Sequence, residues 1–188
     1  MGRSQAPAAL LIIDMVNLLD FPDAGRMAPS AVAAARRIKA LREGFHARDW
    51  PVVFANDNFA RWRSDFRELV ALAANSEGAP REIAGLLAPD SRDYFILKPK
   101  HSAFLATPLP VLLAKLGVRR LLLSGMALES CVLATATDAN AREFEVAIVR
   151  DAVAGLPGLR QSALKALSGS GAARLVASHD ALAWAEAD

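Results

Sequence analysis

Short, continuously apolar segments alternate with longer amphipathic segments along the chain, and this alternation most constrains the fold. Residues 8–13 are all apolar and stop at Asp14, a pattern typical of a strand buried on both faces of a parallel sheet. After Pro29 and Ser30, residues 31–48 carry apolar side chains at helical spacing with basic residues between them. Because parallel strands need crossover helices of this kind, the alternation predicts an open parallel sheet with helices on both faces.

The rest of the chain continues the same alternation. Its pattern predicts further strands at residues 51–55, 94–97, 119–124, 145–149 and 173–176. It predicts further helices at residues 81–87, 108–116, 130–142, 160–167 and 181–187. A chain of 188 residues suits one domain, 1–188, and a content of 53% hydrophobic but only 6% aromatic residues suits a core of Ala, Leu, Val and Ile. We therefore predict a single-domain, three-layer α/β fold with about six strands.

Composition argues against several classes of partner. The 22 Lys and Arg residues are scattered and nearly balanced by 20 Asp and Glu residues, which argues against a nucleic-acid partner. The apolar runs are shorter than the roughly 18 residues of a membrane span, which argues against a membrane partner. The single cysteine cannot form an intramolecular disulfide, and the apolar run before Asp14 is too short for a signal peptide. We therefore expect a cytoplasmic protein.

Three chemically reactive side chains follow predicted strands. Asp14 follows the first strand, Lys98 ends the third, and Cys131 lies at the start of the helix after the fourth. Because the carboxyl ends of parallel strands share one edge, where ligands bind, we expect the three to converge. A helix N-terminus favours a thiolate, which predicts a lowered pKa for Cys131. In this hypothesis Asp14 is the general base, and Lys98 holds the carboxylate and stabilises the thiolate.

Each of these three side chains also has an ordinary structural interpretation when it is taken alone. A lone cysteine is usually a small buried hydrophobic residue, and an aspartate after a strand often caps a loop. A lysine is usually a solvated surface residue. It is their joint placement at one sheet edge that favours a catalytic triad.

Four motifs carry a resemblance that covers nearly the whole chain. The segments LLIIDMVN, ILKPKHSAF, LLLSGMALESCVLATATDAN and VAIVRDA resemble, in order and spacing, the motifs of the isochorismatase-like cysteine hydrolases. The resemblance implies a parallel sheet flanked by helices, with Asp14, Lys98 and Cys131 as the catalytic triad. It also implies a cis peptide bond between Met126 and Ala127, and an oxyanion hole formed by the backbone N–H groups of Ala127 and Cys131.

The residues after the second strand argue against a metal. Nicotinamidases of the same family carry an aspartate and several histidines there, whereas the matching stretch FANDNFARWRSDF has no histidine and Asp57 alone makes a poor site. His46, His101 and His179 are too scattered to form a ligand cluster. We therefore predict neither a metal nor another cofactor. His101 follows Lys98 by three residues, and both a substrate contact and a position in solvent fit that offset.

Several residues near the predicted strand ends are expected to line a substrate pocket. Asn56, Asn58 and Trp62 follow the second strand, where amides could orient a polar substrate and the indole could supply an apolar wall. A surface loop with a packed tryptophan is the alternative. Asn17 and Phe21 follow Asp14, although an asparagine at such a position often binds only its own turn.

The predicted function is hydrolysis of a C–N bond in a small amide or carbamoyl compound through a thioester on Cys131. One alternative is a vinyl ether hydrolase of the isochorismatase type, although family members with that activity generally lack this cysteine. A nucleotide-binding module is a second, although no glycine-rich loop follows the first strand. A catalytically retired scaffold of the same fold is a third. The expected partners are a small-molecule substrate and, by the resemblance, further copies of the chain in a dimer or tetramer.

Overall fold

The computed structural model describes residues 8–58 and 65–187, and its centre is a single parallel sheet. The sheet has six strands in the order β3-β2-β1-β4-β5-β6. Their bounds are β1 Ala8–Ile13, β2 Val52–Asp57, β3 Tyr94–Lys98, β4 Arg120–Gly125, β5 Glu145–Val153 and β6 Arg174–Val176. The predicted open parallel α/β sheet is therefore confirmed.

Strand β1 lies in the middle of the sheet because it can be buried on every side. It pairs with β2, with Leu10 opposite Val52, and with β4, with Leu11 opposite Leu123. All six of its side chains are inaccessible to solvent. A strand of this kind has no polar face, which explains its continuous apolar sequence.

Helices cover both faces of the sheet and give the three layers. Their bounds are α1 Ala24–His46, α2 Phe66–Ala74, α3 Ala79–Leu86, α4 Leu109–Leu116, α5 Leu133–Ala141, α6 Pro157–Gly169 and α7 Ala181–Glu186, with a π-helical turn, Leu128–Val132, leading into α5. Buried residues of α1, α2, α3 and α7 pack with Leu10 and Ile12 on one face of β1. Buried residues of α4, α5 and α6 pack with Leu11 and Ile13 on the other.

Two predicted boundaries are wrong. Helix α1 begins at Ala24 and contains Pro29, whereas the sequence pattern placed its start after that proline. Proline is tolerated at the first positions of a helix because the first N–H groups have no intrahelical partner. Pro29 lies only about one turn beyond those positions. Strand β5 extends to Val153 rather than to residue 149, because a register shift lets Val153 pair with Gly125 after the polar residues of the strand.

Helix α2 was not predicted. Asp65 caps it by accepting a hydrogen bond from the backbone N–H of Glu68 at 2.9 Å. The sequence contains the corresponding signal, an aspartate three residues before a glutamate at the start of an amphipathic segment. Among the described residues, none of the helices has the length and apolar character needed to cross a membrane.

Candidate active site

The topology brings Asp14, Lys98 and Cys131 together at the carboxyl edge of the sheet. Asp14 directly follows β1, Lys98 is the last residue of β3, and Cys131 lies in the π-helical turn after β4. The ammonium nitrogen of Lys98 is 2.8 Å from Asp14 Oδ2 and 3.4 Å from Cys131 Sγ. One lysine thus contacts both the carboxylate and the thiol.

Lys98 is a buried cation, not the solvated surface lysine that its residue type alone would suggest. Its side chain is 0% exposed, and its ammonium group also contacts Asp57 Oδ2 at 3.5 Å and the Lys100 carbonyl oxygen at 3.2 Å. Burial favours the neutral amine, but the nearby charges of Asp14, Cys131 and Asp57 raise the pKa of Lys98. The lysine therefore stays protonated and supplies positive charge beside the thiol.

The conformation of Asp14 is defined at its backbone and at its carboxylate. Its backbone has a φ of 51°, in the left-handed region, and its Oδ1 accepts the backbone N–H of Asp57 at 2.6 Å. Burial raises the pKa of Asp14, against the opposing effects of Lys98, Cys131 and the Asp57 N–H. A carboxylate with a raised pKa is a better proton acceptor, which suits a general base.

The predicted lowering of the thiol pKa is wrong. Burial, together with the negative charge of Asp14, raises the pKa of Cys131 to about 12. Lys98 opposes this rise, but the start of a helix and one lysine do not outweigh burial next to a carboxylate. The thiol of Cys131 is therefore protonated at rest, next to the carboxyl group of Asp14.

The turn between β4 and the π-helical turn contains a cis peptide bond between Met126 and Ala127, at the place that the family resemblance implies. The N–H of Leu128 donates to the Ala154 carbonyl oxygen at 2.8 Å, and the N–H groups of Ser130 and Val132 donate to the Ala127 carbonyl oxygen. None of these three hydrogen bonds uses the N–H of Ala127 or of Cys131. These hydrogen bonds fix the turn at the point where the oxyanion hole is predicted.

Two of the three asparagines predicted to contact substrate, Asn17 and Asn56, hold the loops around Asp14. Asn17 donates to the Asp14 carbonyl oxygen at 2.6 Å and to Met126 Sδ at 3.5 Å, and its own oxygen accepts the N–H of Leu19. Asn17 thus also binds its own turn, the alternative that its sequence position allowed. Asn56 is fully buried and donates to the Val16 carbonyl oxygen, while its Oδ1 has no hydrogen-bond partner among the described residues.

The other predicted pocket residues lie in different environments. Phe21 is half-buried and packs against the core on the α1 face of the sheet. The backbone N–H of Asn58 donates to the Lys98 carbonyl oxygen at 3.2 Å, which places Asn58 next to the end of β3. Trp62 lies outside the described residues.

His101 lies beside the thiol, on an exposed loop. Its Nδ1 is 3.7 Å from Cys131 Sγ and 3.1 Å from the hydroxyl oxygen of Ser130. Ser130 was not predicted as a site residue, although its position next to the cysteine in the first turn of a helix is a signal that could have indicated it. Its hydroxyl oxygen is 3.8 Å from Sγ.

Among residues 8–58 and 65–187, the group of side chains with the spacing of a metal site lies away from the triad. It consists of His46, Asp90 and Asp93. Arg42 already provides positive charge there, because its Nε donates to Asp93 at 3.0 Å and its Nη2 lies 3.1 Å from Asp90. A cavity of about 570 Å³ borders the same two aspartates, and none of the triad residues lines it.

Comparisons with known proteins identify the family of the chain. A family model described as the isochorismatase domain matches residues 8–179. The chain is 36% identical over 151 residues to YaaI of Bacillus subtilis, an uncharacterised isochorismatase family protein, in a match that covers 80% of this chain and 82% of YaaI. It is 30% identical over 160 residues to the maleamate amidohydrolase of Pseudomonas putida, covering 81% of this chain and 74% of that enzyme.

A solved structure shows the same fold. The crystal structure of an isochorismatase family protein from Desulfovibrio vulgaris superposes with a TM-score of 0.74 at 27% sequence identity. The superposition covers 93% of this chain and 96% of that one.

Proposed function

The chain belongs to the isochorismatase family of hydrolases, and from this premise we propose that it cleaves a C–N bond in a small amide or carbamoyl compound through a thioester on Cys131. The observation that carries the proposal is the Lys98 ammonium group, 2.8 Å from the Asp14 carboxylate and 3.4 Å from Cys131 Sγ. This arrangement pairs a nucleophile with a base and fixes the base with a cation, as covalent catalysis requires.

The first half-reaction forms the thioester. Asp14 accepts the thiol proton, and the sulfur of Cys131 attacks the substrate carbonyl carbon to give a tetrahedral intermediate. Asp14 then returns the proton to the leaving nitrogen, the C–N bond breaks, and ammonia or an amine departs. Lys98 stays protonated throughout and stabilises first the thiolate and then the carboxylate.

The negative charge of the tetrahedral intermediate is placed on the former carbonyl oxygen. We assign its stabilisation to the backbone N–H groups of Ala127 and Cys131, in the turn that Leu128, Ser130 and Val132 hold in place through their own hydrogen bonds. Preorganised donors of this kind are worth about 3 to 4 kcal/mol of transition-state stabilisation each. The second half-reaction, attack of water on the thioester, then releases the acid.

The choice of a C–N bond rests on the relatives and on the cysteine. The P. putida relative is a maleamate amidohydrolase, and the similarity spans most of both chains. Cleavage of a vinyl ether has no need of a thiol nucleophile, whereas this chain holds Cys131 between a carboxylate and a lysine. Isochorismate is therefore the contrasting substrate in the test.

The proposal is tested by measuring ammonia release from a panel of amides and carbamoyl amides, with isochorismate as the contrast. We expect turnover of at least one amide by the wild-type protein, and loss of turnover below about one thousandth in Cys131→Ala and Lys98→Met. Lys100→Met is the matched control, because it removes an exposed lysine two residues away, and it should keep wild-type activity.

Two results would contradict the proposal. One is ammonia release by Cys131→Ala at the wild-type rate. The other is turnover of isochorismate with no activity on any amide. Because Cys131 is the only cysteine, alkylation by iodoacetamide, measured by intact mass, reports on the same thiol without any substrate.

A further inference from the structure

His101 belongs to the environment of the thiol, yet the first half-reaction makes no use of it. Its Nδ1 is 3.7 Å from Cys131 Sγ, within hydrogen-bond distance for sulfur. In the tautomer protonated on Nε2, Nδ1 accepts the hydroxyl hydrogen of Ser130 at 3.1 Å and directs its lone pair toward the site. A neutral imidazole is the most common general base in enzymes, and its Nδ1 can accept from water in place of Ser130.

The position of this imidazole is fixed by hydrogen bonds on the next two residues of its loop. The Ser102 hydroxyl donates to Asp138 at 2.6 Å, and the backbone N–H of Ala103 donates to the buried hydroxyl of Thr135 at 3.0 Å. Both acceptors belong to α5, the helix that continues from the turn carrying Cys131. The loop and the thiol are therefore attached to the same helix, which keeps His101 beside the sulfur.

Asp14 and His101 differ in their access to water. Asp14 is 6% exposed, and its carboxylate already contacts Lys98 and the N–H of Asp57. His101 is exposed and reaches the sulfur from the loop. Once the sulfur carries an acyl group, the attacking water must arrive from solvent, and the imidazole is the basic group on that route.

We propose that His101 is a further catalytic residue, the general base for hydrolysis of the thioester on Cys131; this inference rests on the proposed function. A water replaces Ser130 as the donor to Nδ1 and loses a proton to that nitrogen as its oxygen bonds the acyl carbon. The C–S bond then breaks, Nδ1–H gives its proton to the sulfur, and the carboxylic acid leaves. The thiol and the neutral imidazole are thereby restored, with one water consumed.

The test separates the two half-reactions with p-nitrophenyl acetate as the acyl donor. The wild-type protein, His101→Gln, His101→Ala and the control Lys100→Met are acetylated, desalted rapidly, and followed by intact mass as the acetyl group is lost. Cys131→Ala is the control for acetylation elsewhere, because it removes the only cysteine. The burst of p-nitrophenolate on mixing measures the first half-reaction in each variant.

We expect every His101 variant to keep the burst and to lose its acetyl group about 100-fold more slowly than the wild type, the usual size of a general-base contribution. Imidazole added after desalting should accelerate the loss in His101→Ala but not in the wild-type protein. Lys100→Met should retain the wild-type rate, since it removes an exposed side chain next to His101 in the sequence.

Three outcomes would overturn the assignment of His101. These are a wild-type rate of acetyl loss in both His101 variants, loss of the burst in them, and failure of imidazole to accelerate His101→Ala. An absent burst in the wild-type protein, in contrast, would count against the thioester mechanism itself, so the two failures are distinguishable.

Discussion

At the scale of single residues, the carboxylate of Asp14 determines where the proton of Cys131 resides. Its negative charge and its hydrogen bond to the thiol both raise the thiol pKa, which burial alone already raises. The same carboxylate, with its own raised pKa, is the group that accepts the proton. Asp14 therefore helps to keep the thiol protonated at rest, and in the proposed mechanism it also removes the proton.

This double role predicts that Asp14→Asn separates thiol reactivity from turnover. Removing the charge lowers the thiol pKa from about 12, so iodoacetamide should alkylate Cys131 faster at neutral pH, and the midpoint of the rate against pH should move down. Ammonia release should be lost, because the carboxylate that accepts the thiol proton in the proposed first step is gone. The measurement is the alkylation rate by intact mass across a pH series.

Asp57→Asn is the matched control for that series. Asp57 also contacts Lys98, at 3.5 Å, but it does not hydrogen bond the thiol, so its loss should shift the midpoint less than the loss of Asp14 does. A midpoint in Asp14→Asn that stays where it is in the wild type, or moves up, would contradict this account of the thiol proton.

Sequence reasoning placed Asp14, Lys98 and Cys131 together because they lie at or shortly after the ends of strands, and the carboxyl ends of parallel strands share one edge. It gave the wrong direction for the pKa of Cys131, because a pKa depends on burial and on distances to charges, which strand and helix patterns do not specify. Likewise, the sequence suggested that Asn17 and Asn56 face a pocket, but whether a side chain binds substrate or a neighbouring carbonyl depends on loop conformation.

At the scale of elements, the approach of β4 to β1 depends on Gly125. Its φ is 106°, and an added Cβ would overlap the backbone of Ile13. The positive φ and the overlap with Ile13 both involve the backbone, so no side-chain rotation relieves them. The glycine therefore lets β4 end close against β1, and this positions the following turn near Asp14.

We expect Gly125→Ala to lower the free energy of unfolding by about 3 kcal/mol or more, through the positive φ and the overlap together. Gly85→Ala is the control, because nothing lies within 4 Å of the position of its Cβ in α3. That substitution should change stability by less than about 1 kcal/mol, and in the stabilising direction. Urea denaturation measures both, and equal stability losses would contradict the role of Gly125.

The elements themselves were largely predictable, with failures at identifiable places. Five of the six strands lie within two residues of their predicted bounds, because continuously apolar runs are distinctive in a parallel sheet. The exception is β5, whose second part contains Arg150 and Asp151 and continues only because its pairing with β4 shifts register. Such a shift is a property of two strands together, so the sequence of one strand does not reveal it.

At the scale of the whole molecule, a buried ionic cluster connects α1 to the loop before the edge strand β3. Asp93 is its centre: it accepts from Arg42 Nε at 3.0 Å, lies 2.9 Å from His46 Nε2, and accepts the backbone N–H of Asp90 at 2.8 Å. The side chain of Asp93 is only 2% exposed. Because Lys98 is the last residue of β3, this cluster also helps to fix the strand that carries a triad residue.

Asp93→Asn should therefore destabilise the protein by about 3 kcal/mol, since it leaves the largely buried Arg42 with a weaker partner. Glu82→Gln is the matched control. Glu82, in α3, forms an exposed ion pair with Arg36, which lies in α1 as Arg42 does. An exposed pair contributes about 0.5 kcal/mol or less. Thermal unfolding measures the stability of both variants. An equal loss of stability in Asp93→Asn and Glu82→Gln would show that the buried cluster contributes no more than the exposed pair.

The central position of β1 has a consequence for biosynthesis. During synthesis this strand leaves the ribosome before one of its two neighbours, β4, which begins at Arg120. Until that residue has been synthesised, an entirely apolar strand has one unpaired edge, which is the kind of surface that aggregates or binds chaperones. The same arrangement prevents premature chemistry, because the sulfur, the carboxylate and the ammonium group meet only after β4 has paired. A nascent chain is thus most prone to aggregation while it is still catalytically inert.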